Sequence, residues 1–149
     1  MQTPTRRTML AVLAALPLAC SRRETARPGA DAPAEVSRLI DRYARAYDVP
    51  EALVHRVVKR ESGYNPAARN GPYYGLMQIL PQTAATMGYR GAPEGLLDAD
   101  TNLRYGVKYL RGAWLVARGN PDRAMMWYSK GYYYEAKRMG LLEETGLRS

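Results

Sequence analysis

The sequence predicts a mainly α domain with one minor extended segment, and three observations carry that expectation. Apolar residues recur at helical spacing along most of the chain after residue 33, Pro, Asp and Asn stand where helices would begin, and only Tyr73–Leu80 reads as extended. At 149 residues the length suits one domain with a core of ordinary size.

Three stretches are expected in order: an export signal over 1–20, a flexible linker over 21–33 and a folded domain over 34–149. Arg6-Arg7 forms a basic start, Met9 to Ala19 is an apolar run, and the small residue Ala19 precedes Cys20. That run is too short to span a bilayer as a stable helix. Thr5-Arg6-Arg7-Thr8-Met9-Leu10 fits a twin-arginine signal, and a plain secretory signal stands beside it. Cys20 is the single cysteine, so no internal disulfide can form after export to an oxidising compartment. Its place after the apolar run resembles a bacterial lipobox, with Pro17 where that pattern prefers leucine; the other reading is simple cleavage near Ala19. Ser21 to Pro33 is polar and aperiodic, and as a flexible chain it would reach about 20 Å, enough to hold a small domain just off a membrane.

The first helix is expected from Ala34 to Tyr47, with Val36, Leu39, Ile40, Tyr43 and Tyr47 on one face and Asp41, Arg42 and Arg45 solvated. The second is expected from Pro50 to Arg60 or Glu61, capped by Asp48. Glu61 falls one turn beyond Val57 and two beyond Val54, so it emerges on the same face as those valines. Partial burial and a helix C-terminus both favour the protonated form of a carboxyl, which suits a proton donor. Pairing with Lys59, Arg60 or a distant arginine is the alternative. His55, the lone histidine, points away from this stripe and is read as surface or rim, with no partner histidine for a metal.

Ser62-Gly63-Tyr64-Asn65-Pro66 is turn chemistry that stops the helix, and Asn70-Gly71-Pro72 makes a second turn before Tyr73–Leu80. Pro81 to Met87 reads as a short helix, Gly88 to Gly95 as loop, and Asp98 or Asp100 as the start of the longest helix, Thr101 to about Ala117. Leu103, Val107, Leu110 and Trp114 are its expected buried positions. Asn120-Pro121 opens another helix through Tyr128, and Tyr132-Tyr133-Tyr134 continues helically toward Leu142, its tyrosines expected to serve packing and rim.

Glu61-Ser62, Tyr64-Asn65-Pro66, Gly75-Leu76-Met77-Gln78, Pro81 and Thr83-Ala84 stand in the order and spacing of a known pattern. The stretch resembles the soluble lytic transglycosylase (SLT) domain family, whose α+β lysozyme-like fold is akin to that of goose-type lysozyme. Asn102-Leu103, Gly106 and Tyr109-Leu110 fit the same family, which uses the glycine for close helix approach. Trp127-Tyr128-Ser129-Lys130-Gly131 resembles its third motif, with Ser129 where asparagine is usual.

The resemblance implies an enzyme that cuts the β-1,4 bond of peptidoglycan between N-acetylmuramic acid and N-acetylglucosamine without water, leaving 1,6-anhydro ends. It implies Glu61 as acid then base, Tyr128 beside it, Ser62 and Tyr64 holding the loop, and Met77, Gln78 and Ser129 at the glycan, the Met77 side chain as an apolar wall. Two alternatives differ in class. A lysozyme-type hydrolase needs a second acid, for which Asp98, Asp100 and Glu135 are the candidates. A non-catalytic wall-binding or assembly factor needs none.

The formal charge is +8, and removal of Arg6 and Arg7 with the signal leaves 20 basic residues against 14 acids, a net of +6. Such a surface fits the glycan strands of the wall with their acidic stem peptides. The basic residues are scattered, with nothing resembling a nucleic-acid motif, so no nucleic acid is expected. No metal cluster, phosphate-cradling loop or nucleophile triad is visible, and no cofactor is expected. The protein is expected to be exported to the bacterial periplasm, held at the membrane through Cys20 if lipidated, with cell-wall or secretion-system assembly proteins as further partners.

Overall fold

The computed structural model describes residues 28–148. The export signal, Cys20 and the start of the linker lie outside the described residues. The chain runs α1 (Ala34–Ala46), α2 (Glu51–Ser62), β1 (Arg69–Asn70), β2 (Tyr73–Tyr74), α3 (Pro81–Thr86), a 3-10 turn (Pro93–Leu97), α4 (Ala99–Val116), α5 (Pro121–Lys130) and α6 (Tyr133–Met139). Among the described residues no helix is long and apolar enough to cross a membrane.

α4 is the axis. Asp98 caps it, accepting from Thr101 N at 2.9 Å and from the Thr101 hydroxyl at 2.8 Å. Leu103, Val107 and Leu110 are fully buried along it, as their spacing predicts, while Trp114 is only half-buried. α1, α3, α5 and α6 all pack on α4. The glycines of α4 are what let its neighbours approach. A Cβ on Gly106 would stand 2.5 Å from Met77 Sδ, and one on Gly112 would stand 2.1 Å from the Tyr132 hydroxyl.

α1 buries Val36, Ile40 and Tyr43 of the expected face together with Ala44, while Leu39 and Tyr47 are only half-buried. α2 is enclosed on more than one side, burying Leu53, Val54, His55, Val57 and Val58. His55 is therefore not at the surface or rim; it is 3% exposed. Pro28–Asp31, expected to belong to a free linker, lies over that side of α2, where a Cβ on Gly29 would sit 2.3 Å from the His55 ring. Asp31 pairs with Lys59 at 2.6 Å and Ala32 packs on the core.

Asp48 does not cap α2. Pro50 takes the N-cap position, so Asp48 lies two residues too early for its carboxylate to reach the first free N–H groups, and it turns the chain instead at φ 52. The extended piece is shorter than expected. Only Tyr73–Tyr74 pairs with Arg69–Asn70, because left-handed Gly75 (φ 71) and Gln78 (φ 47) fold the chain back until Ile79 bridges Tyr74. Among the three consecutive tyrosines, Tyr132 is core, its hydroxyl donating to Tyr109 O at 2.8 Å, whereas Tyr133 and Tyr134 are exposed.

Candidate active site

The end of α2 carries the carboxylate. Gly63 closes the helix in the left-handed conformation, φ 58, its N–H donating to Lys59 O at 3.1 Å. Ser62 Oγ donates to Leu76 O at 2.8 Å, tying this end to the segment after the hairpin. Glu61 then emerges into a cavity of about 230 Å³ lined by Asn70, Tyr73, Gln78, Tyr128 and Ser129. Its side chain is 24% exposed. Arg60 Nε donates to Glu61 Oε1 at 2.8 Å and Arg60 Nη2 reaches the same oxygen. The same Nη2 donates to Ser129 Oγ at 2.9 Å. Arg60 thus clamps the acid of α2 to the end of α5, the alternative that the sequence left open for this carboxylate.

The wall of the cavity is the Gly75–Ile79 segment, and a buried amide holds it. Asn102, fully buried on α4, accepts from Met77 N at 2.9 Å and donates from Nδ2 to Tyr74 O and Leu96 O, each at 2.8 Å. A side chain at Gly75 would collide with this amide, its Cβ 2.4 Å from Nδ2. Met77 is 0% exposed with its sulfur against Gly106, so its side chain packs in the core and forms no wall of the groove. Its backbone does the structural work. Met77 O accepts from the Tyr128 hydroxyl at 2.8 Å.

Tyr128 is buried, and burial, reinforced by the charge of nearby Glu61, pushes its phenol well above its ordinary value. Its hydroxyl stays protonated and is committed to Met77. Gln78 donates from Nε2 to Ala68 O at 3.1 Å and Gly75 O at 2.9 Å, which leaves Oε1 without a protein partner among the described residues. Ser129 Oγ donates to Met125 O at 3.1 Å while accepting from Arg60.

Of the residues singled out from sequence, Glu61, Tyr128, Gln78 and Ser129 line one cavity; Ser62 and Met77 brace it from behind. Tyr64 is not brought there. It is buried at φ 68 with its hydroxyl 3.2 Å from His55 Nδ1, on the side of α2 covered by Pro28–Asp31. Asn70 and Tyr73, cavity-lining residues absent from the expected set, face each other across the hairpin. The turn at Asn70-Gly71-Pro72 was the signal that could have placed them. A second cavity of about 330 Å³ shares Tyr73, Gln78, Tyr128 and Ser129 with the first and runs on to Thr83 and Lys130.

Among the described residues Glu61 is the one carboxylate lining either cavity. The three acids considered as second donors are engaged elsewhere. Asp98 caps α4, Asp100 holds Arg42, Arg104 and Tyr43, and Glu135 holds Arg138 beside a different cavity at Trp127. No group of three metal-ligating side chains occurs among the described residues. Chemically the site offers one carboxyl group, a cation that can hold or release it, and a groove of hydroxyls, amides and tyrosine rings.

Comparison with known proteins identifies the family. The Transglycosylase SLT domain family matches residues 38–139. The soluble lytic murein transglycosylase of Escherichia coli is 32% identical over 87 residues, covering 53% of this chain and 13% of that protein. The membrane-bound lytic murein transglycosylase F of Shewanella woodyi is 36% identical over 95 residues, covering 59% of this chain and 19% of that protein. The crystal structure of the 70 kDa soluble lytic transglycosylase of Escherichia coli superposes with a TM-score of 0.60 at 25% identity, over 72% of this chain and 19% of that one. This chain thus spans under a quarter of the length of these relatives. With its mainly helical, lysozyme-like architecture and a match running from α1 to the end of α6, the chain belongs to the transglycosylase SLT domain family.

Proposed function

We propose that this chain is a peptidoglycan lytic transglycosylase that uses Glu61 as its one acid and base. The observation that carries the reading is the solitary carboxylate in the joined cavities. Hydrolysis by the usual glycosidase routes takes a pair of carboxylates, one of them to activate water or to attack the sugar. An intramolecular hydroxyl in place of water removes that need. Glu61 protonates the glycosidic oxygen as the bond from muramoyl C1 breaks. The C6 hydroxyl of the same sugar then closes on C1, and its proton passes to the Glu61 carboxylate, which restores the acid. Atoms balance without water, and the product is a 1,6-anhydro end.

Proton donation requires Arg60 to give up its hold on Glu61, so substrate entry and opening of that pair are linked steps. Ser129 keeps a contact for the guanidinium when it moves. Tyr128 is a positioning residue that acts through Met77 O, and Gln78 Oε1 and Asn70 are the polar contacts offered to the glycan. The net charge of +6 after loss of the signal fits anionic strands. Export to the periplasm, a lipid anchor at Cys20, and wall or secretion-system assembly partners belong to the same reading; among relatives, both soluble and membrane-bound enzymes occur.

Mass spectrometry of sacculi digested with the protein tests this. Anhydro-muramoyl ends are expected, with Glu61→Gln lowering turnover by at least about 100-fold while the fold is kept. Reducing ends would assign a hydrolase, and full activity of Glu61→Gln would remove Glu61 from the chemistry.

A further inference from the structure

The second cavity holds a cation that the single-acid chemistry does not use. Lys130, the last residue of α5, lines it beside Gly131, whose φ of 81 turns the chain away toward α6. No acid lines this cavity, and Lys130 forms no ion pair among the described residues. The basic residues on the α2 side differ: Arg56, Lys59 and Arg60 are each paired with a carboxylate. A lysine at a helix end is ordinary as a solvated charge. Here, however, Lys130, although exposed, lines a cleft that shares four residues with the Glu61 cavity and is also lined by Tyr73, Tyr109, Tyr128 and Thr83. Tyr73 is 42% exposed and common to both cavities, so it offers aromatic surface to a sugar in either. Ring surface, hydroxyls and one uncompensated cation together describe a site for a hexose bearing a carboxylate.

We propose that Lys130 is a specificity-determining residue, binding a carboxylate on the strand unit next to the scissile bond and so selecting acid-bearing muramoyl units. The proposal rests on Glu61 being the acid of the adjoining cavity. Two sources supply that group. A muramoyl unit stripped of its peptide carries a free lactyl carboxylate; in a peptide-bearing unit that carboxyl is an amide, and the acids of the stem peptide carry the charge.

The test compares wild type, Lys130→Ala and Lys130→Arg on intact glycan strands, on strands stripped by an amidase, and in binding of neutral chitotetraose. Lys130→Ala is expected to lower kcat/KM about tenfold on a carboxylate-bearing strand through KM, as loss of one charge-assisted contact implies. The loss shrinks as salt is raised, and Lys130→Arg recovers most of it. Chitotetraose affinity stays unchanged. A loss on stripped strands identifies the lactyl group, and a loss on intact strands identifies the stem peptide. Equal weakening for chitotetraose, or no loss on either strand, overturns the proposal. Glu61→Gln run in parallel keeps the two readings apart: retained turnover there sinks the acid assignment without touching the Lys130 comparison, which chitotetraose and strand binding still decide.

Discussion

Replacing Asn102 by alanine should be the most damaging single truncation of the site's supporting frame. The side chain serves three backbone groups: Met77 N–H at 2.9 Å, and the carbonyls of Tyr74 and Leu96 at 2.8 Å each. All lie where Asn102 is fully buried, so its removal strands the Met77 donor and the Leu96 acceptor and leaves Tyr74 O with Ile79 N–H alone, at 3.1 Å. Each such group costs about 1–3 kcal/mol when left unsatisfied, and partial relaxation brings the expected total to about 3–4 kcal/mol. For a domain of this size that corresponds to a fall in Tm of roughly 12–16 °C. Differential scanning calorimetry with urea unfolding reads the loss directly. Asn102→Asp keeps the acceptor for Met77 but sets a carboxylate against two carbonyls, and should be at least as harmful at neutral pH. A fall in Tm under about 4 °C for the alanine variant would mean that water enters and replaces the amide, and the frame argument would fail.

Four further outcomes are expected. Burial holds His55 below its ordinary value of 6.5 against the opposing pull of Glu51, so the folded state binds fewer protons there. The resulting stability is whole above about pH 6.5 and is lost as pH falls through that value toward the folded pKa; urea midpoints between about pH 7.5 and 5 should drop, and His55→Gln should flatten the slope. Gly106→Ala sets a methyl 2.5 Å from Met77 Sδ, and overpacking should cost about 1–3 kcal/mol by denaturant titration. Tyr128→Phe leaves Met77 O without its donor, costing about 1–2 kcal/mol and lowering kcat on sacculi, with no change in any alkaline limb below pH 10 because this phenol does not ionise there. Arg60→Ala releases Glu61 from its clamp and should raise kcat on sacculi, because proton donation requires that hold to be given up, whereas an unchanged kcat would show that the Arg60 contact plays no part in turnover.

The helices were readable because their signals are local. Asp98 and Asn120 cap where capping residues are expected, Gly63 stops α2 in the left-handed form, and α1 and α4 bury most of the residues that a 3.6-residue period selects, with Leu39, Tyr47 and Trp114 half-buried. The positions of Glu61, Gln78, Tyr128 and Ser129 around one cavity followed from a spaced motif and a family resemblance, although nothing in the residues near each one indicates the others. What local pattern does not hold is long-range contact. His55 is buried because Pro28–Asp31 folds over α2, and a helical wheel of α2 alone contains no trace of that covering. Met77 turned inward for a similar reason: the space above Gly106 belongs to another helix, and only the packed structure fills it. The choice of Arg60 as partner of Glu61 is a rotamer decision between neighbours, settled by Ser129 on the far wall.

These contacts converge on four backbone groups of three consecutive residues. Gly75 O accepts from Gln78, Leu76 O from Ser62, Met77 O from Tyr128, and Met77 N–H donates to Asn102. The segment between hairpin and α3 thereby joins the end of α2, the first turn of α4 and the end of α5. Ser62 is adjacent in sequence to Glu61, and Tyr128 is adjacent to Ser129, the residue that shares Arg60 with the acid. The two sides of the Arg60 clamp are therefore located by neighbouring carbonyls of a single strand of backbone, which a buried amide keeps in register. A shift of that strand moves Glu61 and Ser129 together and leaves the clamp intact, while displacing both from any glycan bound against Asn70 and Tyr73 on the hairpin. Variants of the buried frame should consequently lose turnover before they lose the Arg60–Glu61 pair, and turnover should fall with the strength of the Asn102 contacts even where no substituted residue touches substrate.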